Sequence, residues 1–455
     1  MKKYKKALFI FRRDLRLEDN TGLHFALENS EEVVVAFIFT PEQIDHNPYR
    51  SDNCLQFMIE SLEDLENAIT SKGGKLFLFY DKTEKVVQEL ISSLDVDLVV
   101  VNGDYTPYSL KRDQKIESVC NTAKIPFFSF DDALLHPPSK TLKKDGKPYT
   151  VFTPFYHNAM QLEVTLPAPN RYKNYYSGSI PSSHEKSLYH QILPTRSLSK
   201  GGGRSAALKI LDRIGEFSSY AALRDFPFED ATTHLSAHLK FTTISPREVY
   251  WKMSKQLGAS SPLIRSLFWR DFFTSIALYF PRVFSGAFHE KYNHLRWHHD
   301  EKIFMKWCQG KTGFPIVDAG MREMNQTGFM HNRVRMIVAS FLTKDLHIDW
   351  RLGEKYFAQT LVDYDPSVNN GNWQWAASTG CDAQPYFRIF NPWRQALKFD
   401  PDCLYIKKWI PELTLLPPKV IHKWDQEKYH SQYGGYPKPI VDHAKEAKVT
   451  LALYK

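Results

Sequence analysis

Short apolar runs alternate with polar, helix-period segments over the first third of the chain. Residues 7–11, 33–39, 75–80, 98–102 and 126–130 are rich in Val, Ile and Phe and bounded by polar turns, which predicts buried strands. Between them, 54–71 and 83–93 carry apolar positions at helical spacing. Strand–helix alternation of this kind predicts an α/β, doubly wound parallel sheet whose ligand crevice lies at the strand C-terminal ends. Neither GxGxxG nor a P-loop pattern is present, which disfavours a dinucleotide fingerprint or an NTPase site.

The pattern changes twice more. Pro137, Pro138, Pro148, Pro154, Pro167, Pro169 and Pro181 stand among Ser and Lys, a density that excludes a long helix and predicts an ordered surface linker. Gly201-Gly202-Gly203-Arg204-Ser205 lacks GK[ST] and reads as a flexible helix start rather than a phosphate cradle. Helical periodicity then dominates: 206–216, 246–256, 262–278, 302–309, 316–327, 332–343 and 353–362. The expected organisation is an α/β domain over 1–132, a linker over 133–200 and a mostly α-helical domain over 201–455. No internal repeat or low-complexity tail interrupts it.

Composition adds three constraints. The 455 residues suit two or three domains, and 43% hydrophobic with 24% charged residues is globular composition. A net charge of +8 attracts polyanions such as nucleic acid, although a mildly basic protein can be merely basic. Aromatic residues reach 14%, many beside Arg, His and Asn in the second half, which suits either stacking on flat ligands or an aromatic core. Cys54, Cys120, Cys308, Cys381 and Cys403 have neither zinc nor disulfide spacing and fit a reducing compartment. The apolar run after the N-terminal lysines is too short for a signal peptide, and no stretch reaches the roughly 18 apolar residues of a membrane span. A soluble, cytoplasmic, monomeric protein without a metal is expected.

Several stretches of the helical half go beyond core packing. Thr232-Thr233-His234-Leu235-Ser236 places three hydroxyls ahead of a helical region, suited to phosphate oxygens or to a plain cap. Asn332, Arg335 and Met336 share a helix face at i, i+3, i+4, and an inward Arg requires a partner such as Asp363 or Asp365. Taken alone, that spacing reads first as a structural Arg–Asp pair.

From Lys311 to Asp400 the chain resembles the photolyase/cryptochrome family, through KTGFPIVDAGMREMNQTGFMHNRVRMIVASFL, the DW at 349–350 and NNGNWQWAASTGCDAQPYFRIFNP. RRDLRLEDN at 12–20, YTVFTPFY at 149–156, THLSAHLKFTTISPREVYW at 233–251, LFWRDFF at 267–273 and YPKPIVDHAKEAK at 436–448 extend the resemblance over essentially the whole chain. It implies FAD in the helical domain. Tyr220, Thr232, Thr233, Ser236 and Arg270 match positions lining its phosphates and ribose; Arg335 and Asp363 match the pair beside the isoalloxazine, with Asp365 nearby. Asn369 matches the residue facing flavin N5, where plant cryptochromes carry Asp; Asn cannot donate a proton there, which favours the reduced, anionic flavin used in repair. Trp373, Trp350 and Trp297 match the relay that carries an electron from the surface to the photoexcited flavin.

The resemblance also implies UV-damaged DNA as partner. Trp269, Trp375, Met336 and Asn332 match the walls of the cavity for a flipped pyrimidine dimer, and Arg224, Arg333 and Arg388 match residues gripping the flanking phosphates. Photolyases for (6-4) products carry two histidines at Asn332 and Met336, so their absence favours the cyclobutane dimer. The chain also stops soon after YPKPIVDHAKEAK, without the long signalling tail of many cryptochromes. Cyclobutane photolyases carry Glu where Ser266 stands here, as in plant cryptochromes, which implies weaker repair or compensation by a neighbour. Tyr108 and Ser109 replace an Asn-Glu pair that binds folate in some bacterial relatives, so a second antenna chromophore could be a deazaflavin, another flavin, a folate or none. The expected function is light-driven splitting of cyclobutane pyrimidine dimers by a deoxyribodipyrimidine photolyase, a lyase. A cryptochrome-type blue-light receptor is the alternative, and an electron-transfer flavoprotein without DNA a more distant one.

Overall fold

The computed structural model describes residues 2–193, 201–382, 388–433 and 435–454. Residues 194–200 of the expected linker and 383–387 of the NNGNWQWAASTGCDAQPYFRIFNP motif lie outside the described residues. The chain forms two compact units, residues 1–216 with 233–281 and residues 217–232 with 282–455.

The first unit is built on a five-stranded parallel sheet in the order β3-β2-β1-β4-β5. Its strands are β1 (Tyr4–Phe11), β2 (Ser30–Phe39), β3 (Leu76–Tyr80), β4 (Leu98–Asn102) and β5 (Phe127–Phe130). Phe9 of central β1 pairs with Val35 on one side and Val100 on the other. All five residues of β4 are buried, as expected of a strand covered on both faces by helices. The Asp52–Ser71 and Thr83–Leu94 helices match the helical patterns. Thr21–Asn29 and Pro107–Ala123 are helices that those patterns did not announce. Both start on local caps: Asn20 accepts from Leu23 N, and Thr106 accepts from Ser109 N with Pro107 at the first helical position.

The RRDLRLEDN motif is a structural lock. Buried Arg16 pairs with Asp132 at 2.6 Å, while Arg247, on the Pro246–Leu257 helix, reaches Asp132 at 2.9 Å and Asp19 at 2.8 Å. Burial pushes the Asp132 carboxyl up, but the two guanidiniums outweigh it and hold it well below the usual carboxylate range. The Pro-rich segment contains short helices, Phe152–Ala159 and Ser187–Ile192 among them. It is tied to β2 by Val33 N donating to Asn174 O at 2.9 Å and Tyr176 N to Val33 O at 2.8 Å. The Gly201–Ser205 loop is not a loose helix start. Gly202 N donates to Glu60, Gly203 N to Ser61 Oγ and Arg204 N to Asp64, each at 2.9 Å, so amides that could have cradled a phosphate are already taken.

The second unit is helical. Its core gathers Trp307, Phe314, Phe341, Trp350, Phe357, Trp373 and Trp424 from helices that include Pro315–Thr327, Asn332–Lys344, Trp350–Thr360 and Pro366–Ala376. The KTGFP and YPKP motifs meet here: buried Asp318 accepts from Thr312 N and Gly313 N and from the Tyr436 hydroxyl, and Ile440 N donates to Thr312 O. Gly313, at φ +78°, lies so close to the Lys438 main chain that a Cβ would be 2.3 Å from its carbonyl oxygen. Among the described residues, no helix is long and apolar enough to cross a membrane.

Candidate functional site

In the second unit, the Pro366–Ala376 helix sets the geometry. Its sequence, PSVNNGNWQWA, has poor intrinsic helix propensity. The helix forms because Asp365 caps Ser367 N and Val368 N and Pro366 occupies the first turn, after which its inward face is buried. Asp365 is thus a helix cap, and Arg335 finds its partner in Asp363. The polar residues of the helix divide the work. Asn370 and Gln374 both donate to Val283 O at 3.0 Å, and Gln374 accepts from Phe288 N at 2.7 Å, so these two fix the helix in place. Asn369 is half-buried and donates to the main-chain carbonyl of Glu354 at 3.1 Å.

Trp373, one turn beyond Asn369, is buried edge-on against Phe357 at 4.9 Å between centroids. A Cβ on Gly353 would sit 2.3 Å from its indole, so glycine is required for the ring to lie there. Trp350 is buried in the same core, and partly buried Trp297 packs against it. The segments carrying those two indoles are laced side by side by the His298–Ile348 bridge, with His298 N donating to His347 O at 2.7 Å. The three indoles therefore grade from buried to partly exposed within one core. Trp375 is half-buried.

The Asn332–Lys344 helix carries the charged groups. Arg335 meets Asp363 through both terminal nitrogens at 3.1 and 2.9 Å and donates from Nε to Met330 O at 2.7 Å. This fork is the geometry in which a guanidinium holds a carboxylate most firmly. Asn332 is exposed, its amide 4.0 Å from the Met336 sulfur. Arg333 pairs with Asp225 at 2.8 Å. Arg224 is exposed with its guanidinium 5.9 Å from the Tyr220 ring, and Arg388 is exposed. Thr232 Oγ1 is buried with no hydrogen-bond partner among the described residues.

The first unit holds the remaining residues singled out in the sequence. On the Pro262–Tyr279 helix, Ser266 is exposed and makes only a 3.5 Å contact to Pro262 O. Trp269 stacks on Phe152 at 3.6 Å and 6°, with Arg265 5.2 Å from the same phenyl ring, which fixes the indole plane. Arg270 donates to Leu239 O at 3.1 Å. Its neighbour Asp271 is raised to about 7 by burial, against the pull of Arg270 and two main-chain amides. Thr233 Oγ1 accepts from Leu235 N at 3.4 Å, a local turn, and Ser236 opens a five-residue helix with its side chain exposed.

Three residues escaped the sequence reading. Glu354 is buried, and burial raises its carboxyl to about 7, against the amides of Asn369 and Asn370. Its signal was present: it shares the Trp350, Phe357, Ala358 stripe, where an ionised side chain is costly. Trp307, fully buried and 6.2 Å from Trp373, is a further indole in the same core. Asp225, beside Arg224, had no legible signal.

Two family models match: "DNA photolyase" over residues 7–170 and "FAD binding domain of DNA photolyase" over residues 263–455. The chain is 38% identical to the deoxyribodipyrimidine photo-lyase of Alkalihalophilus pseudofirmus, covering 98% of this chain and 97% of that relative. Its fold is similar to an archaeal photolyase from Sulfolobus tokodaii, solved with two FAD molecules and described as implying a novel light-harvesting cofactor (TM-score 0.90, 42% identity, 99% of both chains). It is also similar to a Synechocystis cryptochrome (TM-score 0.90, 27% identity, 100% of both chains). The donor set fits FAD. The unpartnered Thr232 hydroxyl suits a phosphate or ribose oxygen, and a carboxylate forked by arginine suits ring N–H groups.

Proposed function

The chain belongs to the DNA photolyase family, and from that premise we propose that it splits cyclobutane pyrimidine dimers in UV-damaged DNA under light. The observation that carries the proposal is the Pro366–Ala376 helix, which bears a half-buried amide (Asn369), a buried indole one turn on (Trp373) and, two residues later on another face, a half-buried indole (Trp375). FAD, when bound, supplies absorption of blue light and a transferable electron. Arg335 holds Asp363 so that its carboxylate accepts hydrogen bonds while its charge stays balanced. Asn369 presents an amide where an acid would deliver a proton. Trp373, Trp350 and Trp297 pass an electron inward from the partly exposed end. Tyr220, Thr232, Thr233, Ser236 and Arg270 bind phosphate and ribose oxygens.

The family resemblance gives Trp375, Asn332, Met336, Trp269 and Ser266 the role of contacting an extruded dimer, and Arg224, Arg333 and Arg388 that of holding its flanking phosphates. Flipping favours the lesion because a photodimer pairs poorly and costs less to extrude. The five free cysteines support a reducing, cytoplasmic setting, in which the protein works as a monomer.

A second, anionic chromophore is favoured by the C-terminal ends of β1 and β4, the usual crevice of a doubly wound sheet. There Arg12 Nε and Arg112 Nη2 are buried without hydrogen-bond partners among the described residues. Burial and the neighbouring Arg12 lower Arg112 to about 10. Tyr108, 5.9 Å from that guanidinium, donates to or accepts from Thr40 at 3.0 Å. One carboxylate, Asp113, serves both guanidiniums and leaves donors to spare, which favours an anionic ligand; a second FAD, with its phosphates, meets that need.

Dark binding separates repair from signalling. Repair requires tighter retention of an oligonucleotide with one dimer than of its undamaged twin; equal retention favours the cryptochrome reading, which exposed Ser266 supports.

A further inference from the structure

Arg333 is already engaged before any DNA arrives. It sits at the second position of the Asn332–Lys344 helix, and Asp225 accepts from its Nη2 at 2.8 Å and its Nε at 3.3 Å. The guanidinium lies 4.4 Å from the centroid of the Phe399 ring, and Phe226 meets the same ring edge-on at 6.3 Å. A carboxylate on one edge and an aromatic face together fix an arginine in one rotamer while leaving part of its donor fork available. The Asp225 side chain is 36% exposed against 18% for Arg333, so the pair opens toward solvent on the acid's side.

Non-specific DNA binding depends on mobile cations that can follow any phosphate, whereas a fixed donor rewards only a phosphate delivered to one place. A bonded carboxylate also subtracts from the charge that a passing duplex meets. We propose that Asp225 is a specificity-determining positioning residue: by clamping Arg333 with Phe399, it suppresses binding to undamaged DNA more than binding to DNA distorted by a lesion. The inference rests on the reading of Arg333 as a phosphate contact and extends it to a residue that touches no DNA itself.

The test is a double-mutant cycle on the full-length, flavin-loaded protein, with dark binding to a dimer-containing and an undamaged oligonucleotide over a salt series. Asp225→Asn keeps the shape and removes the charge. It is expected to tighten undamaged DNA by about 3- to 10-fold, to lower the dimer-to-undamaged ratio by a similar factor, and to steepen the salt slope for undamaged DNA by about 0.9, one further phosphate. Asp225→Glu, which restores the charge, is expected to recover most of the discrimination. In an Arg333→Met background Asp225→Asn is expected to leave the ratio unchanged. A change of the same size with Arg333 absent would show a general charge effect and overturn the proposal, as would an unchanged ratio in the Asp225→Asn single variant. If Arg333→Met alone leaves dimer binding intact, the phosphate-contact reading fails and takes the proposal with it; a loss there with no Asp225 effect removes the proposal alone.

Discussion

Asn369 donates its side-chain amide to the main-chain carbonyl of Glu354 at 3.1 Å, and the buried Glu354 carboxyl faces the amides of Asn369 and Asn370. The residue assigned to the flavin is thereby backed by an acid whose titration is displaced into the neutral range. Burial raises Glu354 to about 7, so the folded state binds this proton more tightly than the unfolded chain does. The native state is therefore favoured at low pH and loses that advantage as pH rises from about 4.5 through about 7. Glu354→Gln should flatten this dependence and leave the variant more stable than the parent above neutrality, by on the order of 3 kcal/mol at most. Urea unfolding on both sides of neutrality measures it. A difference independent of pH would contradict the assignment.

Trp373→Phe keeps an aromatic ring against Phe357 while removing the readily oxidised indole. Light-driven reduction of the bound flavin by an external reductant should slow by at least about tenfold. Dimer splitting by chemically reduced protein should persist. Unchanged photoreduction would remove Trp373 from the relay and turn attention to Trp307, 6.2 Å away.

How much of this was legible in the sequence depended on burial. The central strands were readable because apolar runs covered on both faces leave no polar interruption, and the 98–102 strand is all buried; edge strand Phe127–Phe130, with no buried residue, was readable from its phenylalanines. Pro107–Ala123 was not readable, because only Ser109, Ile116 and Cys120 of its 17 residues are buried and no apolar stripe betrays it. Pro366–Ala376 was read as a pocket-forming motif rather than as a helix, since Asn and Gly oppose helix propensity and the Asp365 cap and buried Trp373 override it. The Arg335–Asp363 pair was anticipated from residue chemistry. Spacing alone left Asp363 and Asp365 both open and the family resemblance chose Asp363; the Asp365 cap, legible only once the helix start is known, is the physical reason.

Arg112→Ala tests the second chromophore. If a phosphate-bearing flavin uses the spare donors of Arg12 and Arg112, acid extraction should release about one flavin fewer per chain, while absorption from the remaining flavin persists. An unchanged flavin content, in protein reconstituted with excess FAD, would exclude that site.

Ser266 is exposed and only weakly bonded to its own helix, so a longer acidic side chain can be accommodated. Ser266→Glu should raise the yield of dimer splitting per absorbed photon. A large loss would show that Ser266 is part of a pocket shaped for something else.

The central claim is tested most directly by illuminating the purified, fully reduced protein with an oligonucleotide carrying one cyclobutane thymine dimer and measuring restored thymine absorbance. Light-dependent restoration that is absent in the dark, and strongly reduced in a Trp375→Ala variant that still holds FAD, is the predicted result. No restoration by fully reduced, FAD-loaded protein would contradict it and leave a photoreceptor in its place.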